Sequence, residues 1–190
     1  MIRRLFLSAA NRTHYRAVVF VHFFLEMHMA DISIIAVGGT IDKVYFDAKS
    51  EYEVGPPNIE KVLSELNLSL SYSVNSLMRK DSLDLTAADR ALIAETVAKD
   101  PCDRILITHG TDTMVETARE LTNIVQKTIV LTGALEPALF KTSDAVFNIG
   151  CALGAVQSLP PGVYIAMNGK LFPADKVWKN LAKNRFETTS

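Results

Sequence analysis

Three short stretches concentrate hydroxyls, glycines and one acid at the ends of apolar runs. "IIAVGGT" ends on Gly39 and Thr40, "LITHGTDTM" (106–114) carries Thr108, His109, Thr111, Asp112 and Thr113, and "TIVLTGA" ends on Thr132-Gly133-Ala134. A threonine hydroxyl attacks a carbonyl only when a neighbour takes its proton. Glycine lets a backbone approach a ligand closely, and an aspartate can bind an ammonium group. The same residues also fit a purely structural role. Thr111 stands where a helix N-cap belongs, its oxygen accepting from an N–H two or three residues on. Asp112 would then sit in the first turn, where the helix dipole favours an acid. A nucleotide site is disfavoured: "GGT" lacks the third glycine of a dinucleotide loop and the lysine of a phosphate loop, and Asp112 would repel a phosphate. Taken one at a time, the stretches leave cap and chemistry both open.

The elements that must carry these stretches alternate. "ISIIAVG" (32–38), "RILITHG" (104–110), "TIVLTGA" (128–134) and "GVYIAMNG" (162–169) are continuous apolar, β-branched runs, as strands buried on both faces are. "LSLSYSVNSL" (68–77) alternates like a half-buried strand. Between them lie helical patterns. One is 57–67, opening on Pro57 with Ile59, Val62, Leu63 and Leu66 in phase; another follows Thr86 and Asp89 in capping-box spacing. A third places Met114, Ala118, Leu121 and Val125 on one stripe, and a fourth spans 143–159. Residues 40–56 read as a polar, aromatic loop with room for a short hairpin, and the basic tail from Lys170 has no clear pattern. The alternation predicts a single α/β domain: a three-layer, mostly parallel sheet with helices on both faces, Rossmann- or flavodoxin-like. In such sheets ligands bind outside the carboxyl ends of the strands, which is where the hydroxyl-rich stretches fall.

The 190 residues suffice for one domain with a sizeable core. A formal net charge of −1 gives no basic surface for nucleic acid. Charged residues at 22% and apolar ones at 48% suit a globular protein rather than a membrane-embedded one. Cys102 and Cys151 form no CxxC pair and no ligand cluster with histidine, so they read as two reduced thiols, and no metal is implied. Residues 1–28 form an odd, Arg- and His-rich extension. Its apolar core "AVVFVHFFL" is far shorter than the ~20 residues a bilayer requires. Arg12, His14 and Arg16 interrupt a signal-peptide layout, and Glu26 and His28 occupy its cleavage region. We therefore expect an extension outside the fold at 1–28, with Met27 or Met29 as an alternative start, a domain over 29–190, and a cytoplasmic location.

Together, "IIAVGGTI" and "ITHGTDTM" resemble the bacterial-type L-asparaginase/glutaminase family of threonine amidohydrolases. The similarity continues through "AKSEYEVG" (48–55), which looks like that family's mobile loop, and "DSLDLTAAD" (81–89), which looks like its substrate-carboxylate loop. It extends through "LTGALEP", "SDAVFN" and "MNGKLFPADKVWK" (167–179) and covers about residues 31 to 187. The resemblance implies Thr40 as nucleophile and Tyr52 as its activator, with Tyr45 as the fallback if the loop registers differently. It implies Thr111 paired with Lys179, Asp112 binding the substrate α-amino group and Ser82 binding its carboxylate. Lys170, Lys176 and Lys183 compete for the lysine role. Backbone N–H groups around Gly39 and Thr111 would serve the oxyanion. His109 is expected to be structural. Leu83 stands where the family often has a polar residue beside the serine, which loosens the expected hold on substrate.

The resemblance implies hydrolysis of L-asparagine, or a related ω-amide such as glutamine, through an acyl-enzyme, with no cofactor. The alternative is an amino-acid-binding or sensor module that uses the same loops without turnover. The match corresponds to the family's N-terminal domain alone, so a short, single-domain protein is expected. Its site would be more open and wetter, which weakens electrostatic catalysis. Closure by homodimerisation, a lower activity or a different substrate would follow.

Overall fold

The computed structural model describes residues 30–47 and 50–189. The extension expected over 1–28 and part of the "AKSEYEVG" loop lie outside the described residues. The chain enters through strand β1 (Ile32–Gly38), a 3-10 turn (Thr40–Asp42) and a hairpin of β2 (Lys43–Phe46) and β3 (Glu51–Val54). There follow α1 (Asn58–Ser64), β4 (Tyr72–Lys80), a second 3-10 turn (Ser82–Asp84), α2 (Ala87–Lys99) and β5 (Arg104–Thr108). The remainder is α3 (Met114–Glu120), β6 (Thr128–Thr132), α4 (Ala145–Ser158), β7 (Gly162–Met167), β8 (Lys170–Pro173), β9 (Val177–Asn180) and β10 (Arg185–Thr188). No helix among the described residues is long and apolar enough to cross a membrane.

The central sheet runs β4-β1-β5-β6-β7-β8, with every neighbouring pair parallel except β7 and β8. Its strands are buried because both faces are covered. Ile35, Val37, Ile105, Ile107, Ile129 and Leu131 point to one side, onto Ile93 and Val97 of α2 and Val115 and Ala118 of α3. The alternate residues Ile34, Leu106 and Val130 point to the other, onto Ile59 and Leu63 of α1 and Ile149, Ala152 and Val156 of α4. This is the three-layer α/β architecture that the solid apolar runs implied. Each fully buried aliphatic side chain contributes about 1.5–3 kcal/mol relative to exposure. Cys102 is buried, with Sγ 3.6 and 3.4 Å from the Asp31 and Arg104 carbonyls, and Cys151 is half-buried.

The capping box before α2 is present: Thr86 Oγ1 accepts from the Asp89 N–H at 3.2 Å and Asp89 Oδ2 accepts from the Thr86 N–H at 2.8 Å. Two expectations are corrected. β4 starts and ends later than the 68–77 alternation, running over Tyr72–Lys80. The run 162–169 is not one strand, because Asn168 (φ 54°) and Gly169 (φ 72°) form a two-residue turn into antiparallel β8. Positive φ at both turn residues matches the right-handed strand twist, which explains the Asn-Gly pair. The unpatterned tail is ordered into β8 and the β9–β10 hairpin, whose Val177 and Phe186 enter the core.

Candidate active site

The strand order creates a crevice. From β1 the chain passes to β4 on one side, then crosses to β5 on the other. Loops leaving the carboxyl ends of β1 and β5 therefore diverge, which is the switch point where open α/β sheets bind ligands. Those two loops carry Gly39-Thr40 and Gly110-Thr111-Asp112.

Glycines let the loops touch. A Cβ on Gly39 would lie 2.3 Å from Gly110 Cα, and Gly39 also holds φ 94°, which disfavours any side chain. A Cβ on Gly110 would lie 2.5 Å from Ser82 Oγ. The turn after β5 is thus packed on the backbone of the turn after β1 and on the Ser82 side chain of the turn after β4. Thr40, Ser82 and Thr111 are brought together as residues of, or next to, these contacts.

Thr111 is not the helix cap. α3 begins at Met114, its N-cap is Thr113, and no side chain caps it. Thr113 instead donates through Oγ1 to the Ser82 carbonyl at 2.7 Å. Released from capping, Thr111 Oγ1 accepts from Lys179 Nζ at 2.8 Å, and the same ammonium donates to Asp112 Oδ1 at 2.6 Å. β9 delivers this lysine by strand alternation: Val177 enters the core, Trp178 faces out, and Lys179 returns to the Val177 side. Arg119 of α3 fixes the start of β9 by donating to the Val177 carbonyl at 3.2 Å. The Lys179 side chain is 8% exposed and that of Asp112 is 38% exposed, so the cation is nearly covered while the acid still faces solvent. The competing lysines lie elsewhere: Lys170 over the Phe172 ring, Lys183 beside Glu187, and Lys176 exposed.

The turn carrying Thr40 is held by its neighbours. Asp42 is buried, and its Oδ1 accepts from the Asn58 N–H at 2.7 Å, while its carbonyl accepts from Gly55 at 2.8 Å. Burial pushes the Asp42 carboxyl up to about 6, despite the Asn58 hydrogen bond and the nearby Arg79 charge. Lys43 pairs with Asp81 at 2.8 Å. Thr40 itself is half-buried, and among the described residues its hydroxyl makes no hydrogen bond. Sequence reasoning missed Asp42 and Lys43. Their signal was two charges following "GGTI" directly, inside a turn that must be buried on one side.

Ser82 is buried, and its Oγ has no hydrogen-bond partner among the described residues. An unpaired buried hydroxyl costs free energy unless a ligand meets it. Leu83 beside it is 71% exposed. Tyr52 sits directly across from Tyr45 in the β2–β3 hairpin, and its ring packs edge-on against Tyr45 and Phe140, at 5.5 and 6.0 Å. Its hydroxyl is not hydrogen-bonded among the described residues. His109 is fully buried, with Nδ1 2.7 Å from the Gly110 carbonyl and Nε2 2.9 Å from Thr117 Oγ1. The carbonyl can only accept, so Nδ1 carries the proton and Nε2 accepts from Thr117. Desolvation, with Arg90 adding to it, drives the imidazole down to about 4 against the Gly110 hydrogen bond, so the ring is neutral.

The family description "Asparaginase, N-terminal" matches residues 31–188. The probable periplasmic L-asparaginase of Haemophilus influenzae is 30% identical over 162 residues, covering 80% of this chain and 46% of its own length. L-asparaginase 2 of Escherichia coli is 29% identical over 181 residues, covering 89% and 52%. Among solved structures, the thermostable L-asparaginase from Thermococcus kodakarensis superposes with a TM-score of 0.72 at 26% identity, covering 83% of this chain and 50% of that one. The probable cytoplasmic L-asparaginase from Campylobacter jejuni gives 0.70 at 27%, covering 84% and 53%. The chain spans about half the length of the curated relatives it matches. With that match across nearly all of the described residues and the crevice it contains, the chain belongs to the asparaginase family and spans its N-terminal domain.

Proposed function

We propose that this chain hydrolyses the side-chain amide of L-asparagine, or of a related ω-amide such as L-glutamine, to the acid and ammonia. Thr40 Oγ1 attacks the amide carbon. Its proton is relayed through the hydroxyl of Tyr52 or Thr111 to the departing nitrogen, and the Lys179 ammonium holds Thr111 by donating to its oxygen. Backbone N–H groups around Gly39 and Thr111 face the oxyanion. The carbon–nitrogen bond breaks, ammonia leaves, and Thr40 is left as an acyl ester. Water then adds to the ester carbon, giving the acid and restoring the hydroxyl. Asp112 takes the α-ammonium group and Ser82 the α-carboxylate. The reaction uses no oxidant or cofactor.

One observation carries this reading. Lys179, from a strand remote in sequence, reaches both Thr111 and Asp112 in the crevice at β1 and β5. An ammonium held this way is a fixed donor beside a hydroxyl, as proton handling requires. The names of the relatives, L-asparaginase and glutaminase-asparaginase, support the substrate class. The domain is read as 29–190, the protein as a cytoplasmic homodimer in which a second copy closes the crevice. Sedimentation of the purified chain checks the dimer. The activity test is ammonia release from asparagine and glutamine. Release that disappears in Thr40→Ala is the expected result. Tight binding of aspartate with no release above that variant would overturn the reading in favour of a sensor.

A further inference from the structure

Lys43 and Asp81 flank two turns at opposite ends. Lys43 ends the 3-10 turn of Thr40–Asp42, its N–H bonded to the Thr40 carbonyl. Asp81 begins the 3-10 turn of Ser82–Asp84, its Oδ1 accepting from the Leu83 N–H at 3.2 Å. The other carboxylate oxygen, Oδ2, meets Lys43 Nζ at 2.8 Å, so the ion pair joins the cap of one turn to the cap of the other. The strands beneath the turns pair irregularly. β1 and β4 run in register from Ile32 to Ala36, but then slip, and Gly38 pairs with Lys80 across an irregularity. The regular register therefore ends just before the two turns begin.

We propose that Lys43 and Asp81 form a positioning clamp that sets the Ser82 turn against the Thr40 turn, and so sets affinity for the carboxylate end of an α-amino acid amide. The proposal rests on the amidase reading above, which gives Ser82 its ligand. Both side chains are about a quarter exposed, at 29% and 27%. A pair this wet contributes little to global stability. It can still fix geometry, because Ser82 Oγ has no partner among the described residues and the placement of its turn, which Thr113 also holds through the Ser82 carbonyl, decides where it points. Burial acts to raise the Asp81 carboxyl, but Lys43 and the N–H groups of Leu83 and Ser82 outweigh it and hold it below its usual value. The carboxylate thus stays charged, as a clamp needs.

The test compares Lys43→Met, which removes the clamp, with Lys43→Arg, which keeps the charge. KM and kcat for asparagine are measured alongside hydrogen exchange at the Leu83 amide. Lys43→Met is expected to raise KM roughly tenfold, the scale of a misplaced substrate-holding group, with kcat within about twofold. Leu83 exchange should quicken, the melting temperature should stay close to that of the parent, and Lys43→Arg should recover most of the affinity. An active parent whose KM and Leu83 exchange are unmoved by Lys43→Met would overturn the clamp while leaving the amidase reading intact. A parent that releases no ammonia would overturn the amidase reading. In that case Leu83 exchange and aspartate affinity decide the clamp: faster exchange with weaker binding supports it, and no change in both overturns it.

Discussion

The two threonine turns at the switch point are built in opposite ways. After β1, the acids and bases next to Thr40 are spent on anchoring: Asp42 on α1, Lys43 on Asp81. Thr40 itself is left without a hydrogen bond among the described residues. After β5, the anchoring is done by neutral groups, with His109 on Gly110 and Thr117 and Thr113 on Ser82. There the charges, Lys179 and Asp112, converge on the threonine. A nucleophile must rotate to reach its carbonyl, whereas a proton handler must stay put. Under the function proposed above, the contrast suits attack by Thr40 and proton management by Thr111.

The sharpest way to break that assignment is to remove each threonine in turn. Thr40→Ala should lower kcat at least about 10⁴-fold, and no acyl-enzyme should accumulate on rapid quenching with asparagine. Thr111→Val should instead slow both acylation and deacylation while leaving Thr40 able to be acylated. Mass spectrometry of the quenched protein separates the two, and acyl ester found on Thr111 would reverse the roles. Next in size is the cation. Lys179→Met should cost about 10³-fold in kcat, the range of a lost proton handler. Lys179→Arg should not rescue it, because a planar fork cannot reproduce a point donor to two oxygens at 2.8 and 2.6 Å. Equal kcat in Lys179→Arg and parent would reduce the lysine to a charge.

Both turns depend on one contact that has nothing to do with chemistry. Gly39→Ala drives a Cβ to 2.3 Å from Gly110 Cα at a backbone φ of 94°. Overpacking and strain together should cost about 4 kcal/mol of stability. Denaturant unfolding measures this. A loss under about 1 kcal/mol would mean that the turns can separate without cost.

How much of this was legible follows from what kind of information each feature needs. β1, β5 and β6 were plain because a strand covered on both faces must be apolar throughout, and Ile32–Gly38, Arg104–Thr108 and Thr128–Thr132 nearly are. That the hydroxyl-rich loops gather at the carboxyl ends of the strands followed from the strand–helix alternation, whereas the crevice itself needed the strand order. Thr111 was misread as a cap because "GTDT" offers three cap-type residues in a row, and only the backbone bend decides which of them starts the helix. Lys179 came from resemblance, not pattern. The Asn-Gly turn that makes the tail strand-like was visible at Asn168 and Gly169, but was absorbed into the preceding apolar run. Asp42 and Lys43 were illegible for a physical reason: local sequence does not show whether a charge beside a glycine turn faces solvent or, like Asp42, is 1% exposed.

The smallest effect is also the one that probes both turns at once. Each contains a buried titratable group displaced toward its neutral form. Asp42 rises from 3.8 to about 6, and His109 falls from 6.5 to about 4. Between those limits the two act in opposite senses. Around pH 5 the native Asp42 still holds its proton while the unfolded one has lost it, so this group lowers stability as pH rises. The unfolded His109 is protonated there while the native one is not, so it raises stability as pH rises. Each amounts to about 3 kcal/mol across its window, so the parent should show little net slope from this pair. Asp42→Asn keeps an oxygen for the Asn58 N–H and removes the ionisation. Relative to the parent it should be unchanged near pH 4 and more stable by up to about 3 kcal/mol above pH 6. His109→Gln should differ from the parent in the reverse sense, its relative stability being best at the acid end. Urea midpoints at pH 4.5, 5.5 and 6.5 for the parent and both variants test this. Parallel curves for Asp42→Asn and parent would show that Asp42 is ionised without penalty. The turn bearing Thr40 would then lose its distinction as the one weakened by alkali, while that bearing Thr111 is weakened by acid.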